Sequence, residues 1–143
     1  MDQRLSLLTI GVTDIARART FYVDGLGWTP SGPSGDEGLF FQLPGLVFSI
    51  VTHQHLSGDV GFDPAEAPRN YRGFAMACNV HSRDDVHTMM AQAEAAGGTI
   101  LKQPAETDWG GYAGYFADPD GHAWEVAHAP GWDITEDGQT RMA

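Results

Sequence analysis

Apolar and polar positions along this chain run through the same order twice. Leu5 to Val12 is an apolar run of strand length. Thr13-Asp14 then offers a helix N-cap. Ile15, Ala18, Tyr22 and Leu26 recur at helical spacing, and Gly25 and Gly27 stop the helix. Trp28-Thr29-Pro30 begins another strand or its edge, and Ser31 to Gly38 is a loop by composition. Leu39 to Leu43 and Leu46 to Thr52 read as strands joined at Pro44-Gly45. His53 to Arg72 shows no clean period, contains Gly58, Gly61, Pro64 and Pro68, and reads as a linker or flap. The order then repeats. Gly73 to Val80 is a strand. Ser82 with Asp85 three residues on resembles a capping box. Val86, Met90, Ala93 and Ala96 line one helical face up to Gly97-Gly98. Thr99 to Lys102 is a strand, and Gln103 to Trp109 is a loop. The residues from Pro130 onward form a polar, loosely held tail.

The most informative stretch is Gly111 to His128, two strands around Asp118-Pro119-Asp120-Gly121. Pro pre-sets φ early in a turn, and Gly accepts the left-handed position that closes a three-residue loop. With Pro119 to Gly121 as the loop, Asp118 pairs with His122, Phe116 faces Trp124, Tyr115 faces Glu125, and Ala113 faces Ala127. Successive side chains alternate faces. Phe116, Trp124 and Val126 then form a core face. Tyr115, Glu125, Ala113 and Ala127 form the other. A carboxylate beside two alanines and opposite a tyrosine is either a solvated strand residue or a functional group.

The two rounds match in detail. LLTIGVTD from Leu7 overlays AMACNVHS from Ala75, and GLVFSIV from Gly45 overlays GHAWEVA from Gly121. Leu7 then corresponds to Ala75, and Ser49 to Glu125. The chain of 143 residues is long enough for one domain with a sizeable core. Its parts are a first module over about 5–52, a linker over about 53–72, a second module over about 73–129, and the tail 130–143. A formal net charge of −11, with no basic run, speaks against nucleic acid and anionic membranes as partners. The single cysteine, Cys78, excludes an intrachain disulfide and sits in an apolar run as a small hydrophobe. The start has too short an apolar run for a signal peptide, and no stretch approaches a membrane span. A soluble, cytoplasmic protein is the expectation.

GVTDIARARTFYVDGLGW near the start and WGGYAGYFADPDGHAWEVA near the end resemble the vicinal oxygen chelate superfamily. That superfamily includes glyoxalase I, extradiol dioxygenases and bleomycin-binding resistance proteins. The resemblance covers Leu5 to about His128, and the DPDG turn followed by Glu125 is its most specific part. It implies an α+β fold in which two βαβββ modules form curved mixed sheets around a cleft, with helices outside. Carried over residue by residue, the metal-ligand positions of the superfamily's enzymes fall on Leu7, Ser49, Ala75 and Glu125. Only Glu125 is a donor, whereas Zn, Ni or Fe needs three or four. No metal and no cofactor are therefore expected. A noncanonical site pairing His53 with Glu125 is the alternative. His55, His81, His87, His122 and His128 are scattered.

Alternation names the lining of such a cleft: Leu7, Thr9 and Gly11; Ala75, Ala77 and Asn79; Ser49, Val51 and His53; Tyr115 and Glu125. Phe40 and Gln42 join them if Pro44-Gly45 is a two-residue turn. Trp109 and Tyr112 could close one end, or Trp109 could plug the core. The expected ligand-binding residues are Thr9, Phe40, Ser49, His53, Ala75, Asn79, Trp109, Tyr115 and Glu125. A mostly apolar concavity with few polar groups suits a small organic molecule. Two function classes follow. One is metal-free binding of such a molecule. The other is a lyase or dioxygenase-type enzyme with a noncanonical metal or with Glu125 as general base. Strand edges left by two modules in a short chain make a homodimer the expected assembly.

Overall fold

Both expected N-caps form. Asp14 accepts from the backbone N–H of Ala16 and Arg17 at the start of α1 (Ile15–Arg19), and Ser82 accepts from the Asp85 N–H at the start of α3 (Arg83–Ala95). The computed structural model describes residues 6–32, 34–60, 72 and 74–142. Leu5, residues 61–71 of the expected linker and Gly73 lie outside them. The chain divides into two compact units, Met1–Arg69 and Asn70–Ala143. The fold is α+β with curved mixed sheets.

In the first unit, β1 (Leu7–Val12) runs parallel to β3 (Leu46–Thr52), and β2 (Gly38–Leu43) pairs antiparallel on the far side of β3. Helix α1 continues into one π-helical turn, Thr20–Gly25, where Phe21 and Tyr22 are both buried. Tyr22, Trp28, Phe41 and Phe48 form one aromatic cluster, with Trp28 edge-on to Phe41 at 5.3 Å and to Phe48 at 5.8 Å.

Trp28-Thr29-Pro30 is not a strand, so among the described residues the sheet of the first unit has three strands rather than four. The indole is committed to the cluster, and Pro30 has no N–H to give a ladder. The outer edge of β2 is satisfied by hydroxyls instead: Phe40 N–H donates to Ser34 Oγ and Gln42 N–H to Ser31 Oγ. His53 to Val60, expected as linker, is a helix, α2. Its start is set by Thr52, whose hydroxyl accepts from His55 N–H at 3.1 Å, a local signal without apolar periodicity.

The second unit contains the full βαβββ order. Strands β4 (Met76–Asn79), β5 (Thr99–Glu106), β6 (Tyr112–Ala117) and β7 (Ala123–His128) lie in the order β4-β7-β6-β5, with β4 parallel to β7. Helix α3 buries Val86, Met90 and Ala93, and Met90 lies against Gly114 on the face that carries Phe116, Trp124 and Val126. Strand β5 runs on to Glu106, through residues expected as loop. As an edge strand it accommodates Pro104 and two register shifts. Within the tail, Trp132–Ile134 (β8) and Thr140–Met142 (β9) pair as a hairpin.

The β6–β7 register is the one the turn implies, with Phe116 opposite Trp124, Tyr115 opposite Glu125 and Ala113 opposite Ala127. Asp118 holds it. Its Oδ1 accepts from the Asp120 and His122 backbone N–H, and its carboxylate accepts from His122 Nδ1 at 2.9 Å. Both side chains are almost wholly buried. Gly121 closes the loop at φ 86°, and Arg72 donates to the Asp120 carbonyl at 2.7 Å. Removing the Asp118 carboxylate leaves several buried donors unpaired. Asp118→Ala should therefore lower stability by about 3 kcal/mol or more in urea denaturation. A change below about 1 kcal/mol would mean that the turn holds without its carboxylate.

Candidate functional site

The two units repeat one register with different chemistry. In the first, Thr9, Ser49 and Phe40 lie in one row across β1, β3 and β2. In the second, Ala77, Glu125, Tyr115 and Lys102 lie in the corresponding row across β4, β7, β6 and β5. The overlay of Ser49 on Glu125 made from the sequence is thus matched by position in the two sheets.

The second unit presents its polar group on the face away from α3. Tyr115 donates to Glu125 Oε1 at 2.7 Å. Both side chains are half-buried, and Glu125 Oε2 has no hydrogen-bond partner among the described residues. The hydrogen bond to the carboxylate, with lesser contributions from burial and charge, pushes the Tyr115 hydroxyl up to about 12. Ala113 and Ala127 lie on the same face, and Asn79 is one step along β4 beside Ala127. Ala75 precedes β4 and is exposed.

Trp109 does not plug the core; it is 56% exposed. Its six-membered ring lies where a Cβ of Gly111 would be, so only glycine fits under it. Gly111 continues the alternation of Ala113 and Tyr115, so the indole sits at one end of the carboxylate face. Tyr112 turns to the opposite side. Its hydroxyl meets His87 Nε2 at 2.9 Å and the Pro104 carbonyl, and Arg83 stacks on its ring at 5.2 Å. It does not share the face of Glu125.

In the first unit, Thr9 Oγ1 and Ser49 Oγ are 2.6 Å apart. Pro44-Gly45 is a two-residue turn, which puts Phe40 and Gln42 on the Thr9 face. The His53 ring packs over Gly11 on this face, with Nδ1 2.6 Å from where a Cβ would stand. The candidate residues therefore divide: Thr9, Phe40, Ser49 and His53 belong to one unit, Ala75, Asn79, Trp109, Tyr115 and Glu125 to the other. Lys102 was not singled out from the sequence. A β-bulge brings it opposite Tyr115. The signal for it was only that it ends an apolar strand run.

The residues at the superfamily's ligand positions do not fit a transition metal. Leu7, Ser49 and Ala75 supply no strong donor. Among the described residues no three His, Cys, Asp or Glu side chains group for one. A pocket of about 270 Å³ lies beside α3, and its lining includes Cys78, Asn79, Val80, Asp85, Met89 and Gln92. Burial pushes the half-buried Cys78 thiol up, which favours its protonated form.

The family model described as Glyoxalase/Bleomycin resistance protein/Dioxygenase superfamily matches residues 4–126. The chain belongs to this superfamily. A glyoxalase-related enzyme from Fulvimarina pelagi is 35% identical, with a TM-score of 0.91 over 99% of each chain. A lactoylglutathione lyase from Agrobacterium tumefaciens shares the fold at 18% identity, with a TM-score of 0.65 over 90% of this chain and 96% of its own. The anthracycline biosynthesis protein DnrV of Streptomyces peucetius is 29% identical over 123 residues. That stretch is 82% of this chain but 44% of DnrV, so the chain spans under half the length of this curated relative. No helix among the described residues is long and apolar enough to cross a membrane.

The Tyr115–Glu125 bond has a spectroscopic signature. Alkaline titration followed by tyrosinate absorbance should show a tyrosine ionising near pH 12, and Glu125→Ala should return it toward 10. Because the folded-state value is raised, the stabilisation it reports is complete below pH 10 and fades as pH climbs through 12. A titration curve unchanged by Glu125→Ala would contradict the bond.

Proposed function

We propose that this protein binds small, flat organic molecules without a transition metal, on the Glu125 face of its second unit and, taken separately, on the Thr9 face of its first. One observation carries the reading: Tyr115 fixes one oxygen of Glu125 and leaves the other as an acceptor on a face floored by Ala113 and Ala127. A fixed carboxylate in a partly apolar setting suits an O–H or N–H donor on a ligand. Trp109, exposed at the end of that face, suits stacking on an aromatic ring. The likeness to a protein of anthracycline biosynthesis favours a polycyclic aromatic ligand. The candidate ligand-binding residues are Thr9, Phe40, Ser49 and His53 on the face of the first unit, and Ala75, Asn79, Trp109, Tyr115 and Glu125 in the second.

The same free oxygen supports a second reading, an enzyme in which Glu125 takes a proton from the bound molecule as general base. The likeness to a glyoxalase-related enzyme favours it. The two readings share one variant. Glu125→Gln keeps the shape and the acceptor from Tyr115 but removes charge and basicity. It should leave the melting temperature within about 2 °C of wild type while weakening aromatic ligands, read by Trp fluorescence, about tenfold or more. A large loss of melting temperature with unchanged ligand response would make Glu125 a sheet staple and misplace the site. Turnover lost in Glu125→Gln at unchanged affinity would favour the general base.

We also propose a symmetric homodimer. Strands β1 and β4 are each at the end of their sheet's strand order, and exposed edges invite pairing. Light scattering should give twice the 15.4 kDa chain mass across micromolar concentrations. The chain mass itself would contradict this.

A further inference from the structure

The hydroxyl pair of the first unit has a direction, and burial sets it. Ser49 is 2% exposed, whereas Thr9 is half-buried. Either oxygen could donate across their 2.6 Å contact. If Thr9 donated, the Ser49 proton would be buried with no acceptor among the described residues, a costly arrangement. If Ser49 donates, its proton is satisfied and the Thr9 proton turns to the partly open side. The second arrangement is the stable one. The Thr9 hydroxyl, accepting from Ser49, is then a polarised donor with no protein acceptor among the described residues.

Its surroundings restrict what it meets. Phe40 lies opposite Ser49 in the same row, Leu7, Val47 and Gln42 form the next row on that face, and the His53 ring lies over Gly11. Leu7 is 47% exposed and Phe40 is half-buried. The Gln42 amide donates to the Leu43 carbonyl. A hydroxyl donor flanked by Leu7, Val47 and Phe40 favours an uncharged acceptor oxygen on an apolar skeleton. The equivalent position of the second unit carries the opposite function, the acceptor Glu125. Resting on the reading that this face meets an organic ligand, we propose that Thr9 and Ser49 form a carbonyl-oxygen subsite for an aromatic ketone, whose carbonyl accepts from Thr9.

The test compares two probes of nearly the same shape, anthraquinone-2-sulfonate and anthracene-2-sulfonate, which differ in the ring carbonyls. Binding is read by quenching of Trp fluorescence in the full chain. Wild type should prefer the anthraquinone. Thr9→Val should weaken the anthraquinone about five- to tenfold and leave the anthracene unchanged, and Thr9→Ser should restore the preference. Thr9→Val also orphans the Ser49 hydroxyl. If it does not fold, the double variant Thr9→Val with Ser49→Ala removes both partners and should show the same selective loss. Two bound probes with affinities indifferent to Thr9, or equally weakened by its loss, would overturn the subsite alone. No binding of either probe up to millimolar concentration would overturn both the subsite and the proposed function.

Discussion

A buried carboxylate, Asp118, fixes the register on which both faces of the second sheet depend. It gathers two backbone N–H groups and the His122 imidazole within a four-residue turn. A slip of one residue would move every side chain of β7 to the other face. Trp124 and Val126 would then leave α3, and Glu125 would enter the core. The apolar packing under α3 and the placement of Glu125 beside Tyr115 are consequences of one pairing. The turn is therefore a condition of the site as well as of the fold.

The repeat shows how one backbone plan carries different chemistry. Each unit pairs its first strand parallel to its last, and the row through Thr9 and Ser49 corresponds to the row through Ala77 and Glu125. The first unit has two hydroxyls bound to each other where the second has an alanine and a carboxylate bound to tyrosine. Neither row resembles the chelating set of a metal enzyme. Each is instead internally hydrogen-bonded and still retains capacity for one further bond.

Much of this was legible before any coordinates. The β6–β7 hairpin was readable because its turn chemistry fixes parity, and parity then assigns every face. Helix caps at Asp14 and Ser82 were readable because each is a short-range contest between a side-chain oxygen and the backbone. What escaped depended on packing or on edges. Trp28 left the β2 edge because an aromatic cluster holds its ring, and two serine hydroxyls took the vacated N–H groups. Helix α2 begins on Thr52 with no apolar stripe to announce it. Strand β5 passes through Pro104 because an edge tolerates a missing donor. At the site, alternation placed Thr9 beside Ser49 and Tyr115 beside Glu125. It could not orient the Thr9–Ser49 bond, which needed the burial of Ser49. It also left Trp109 undecided between core and surface, and only the stacking of its ring on Gly111 resolves that.

We propose that this member of the superfamily binds an organic molecule through hydrogen-bonding side chains rather than through a chelated metal. Elemental analysis of the protein purified without chelator, with Glu125→Ala analysed in parallel, decides between the two. No transition metal near one equivalent per chain is expected in either preparation. About one Zn, Ni or Fe per chain in the wild type, lost in Glu125→Ala, would contradict it.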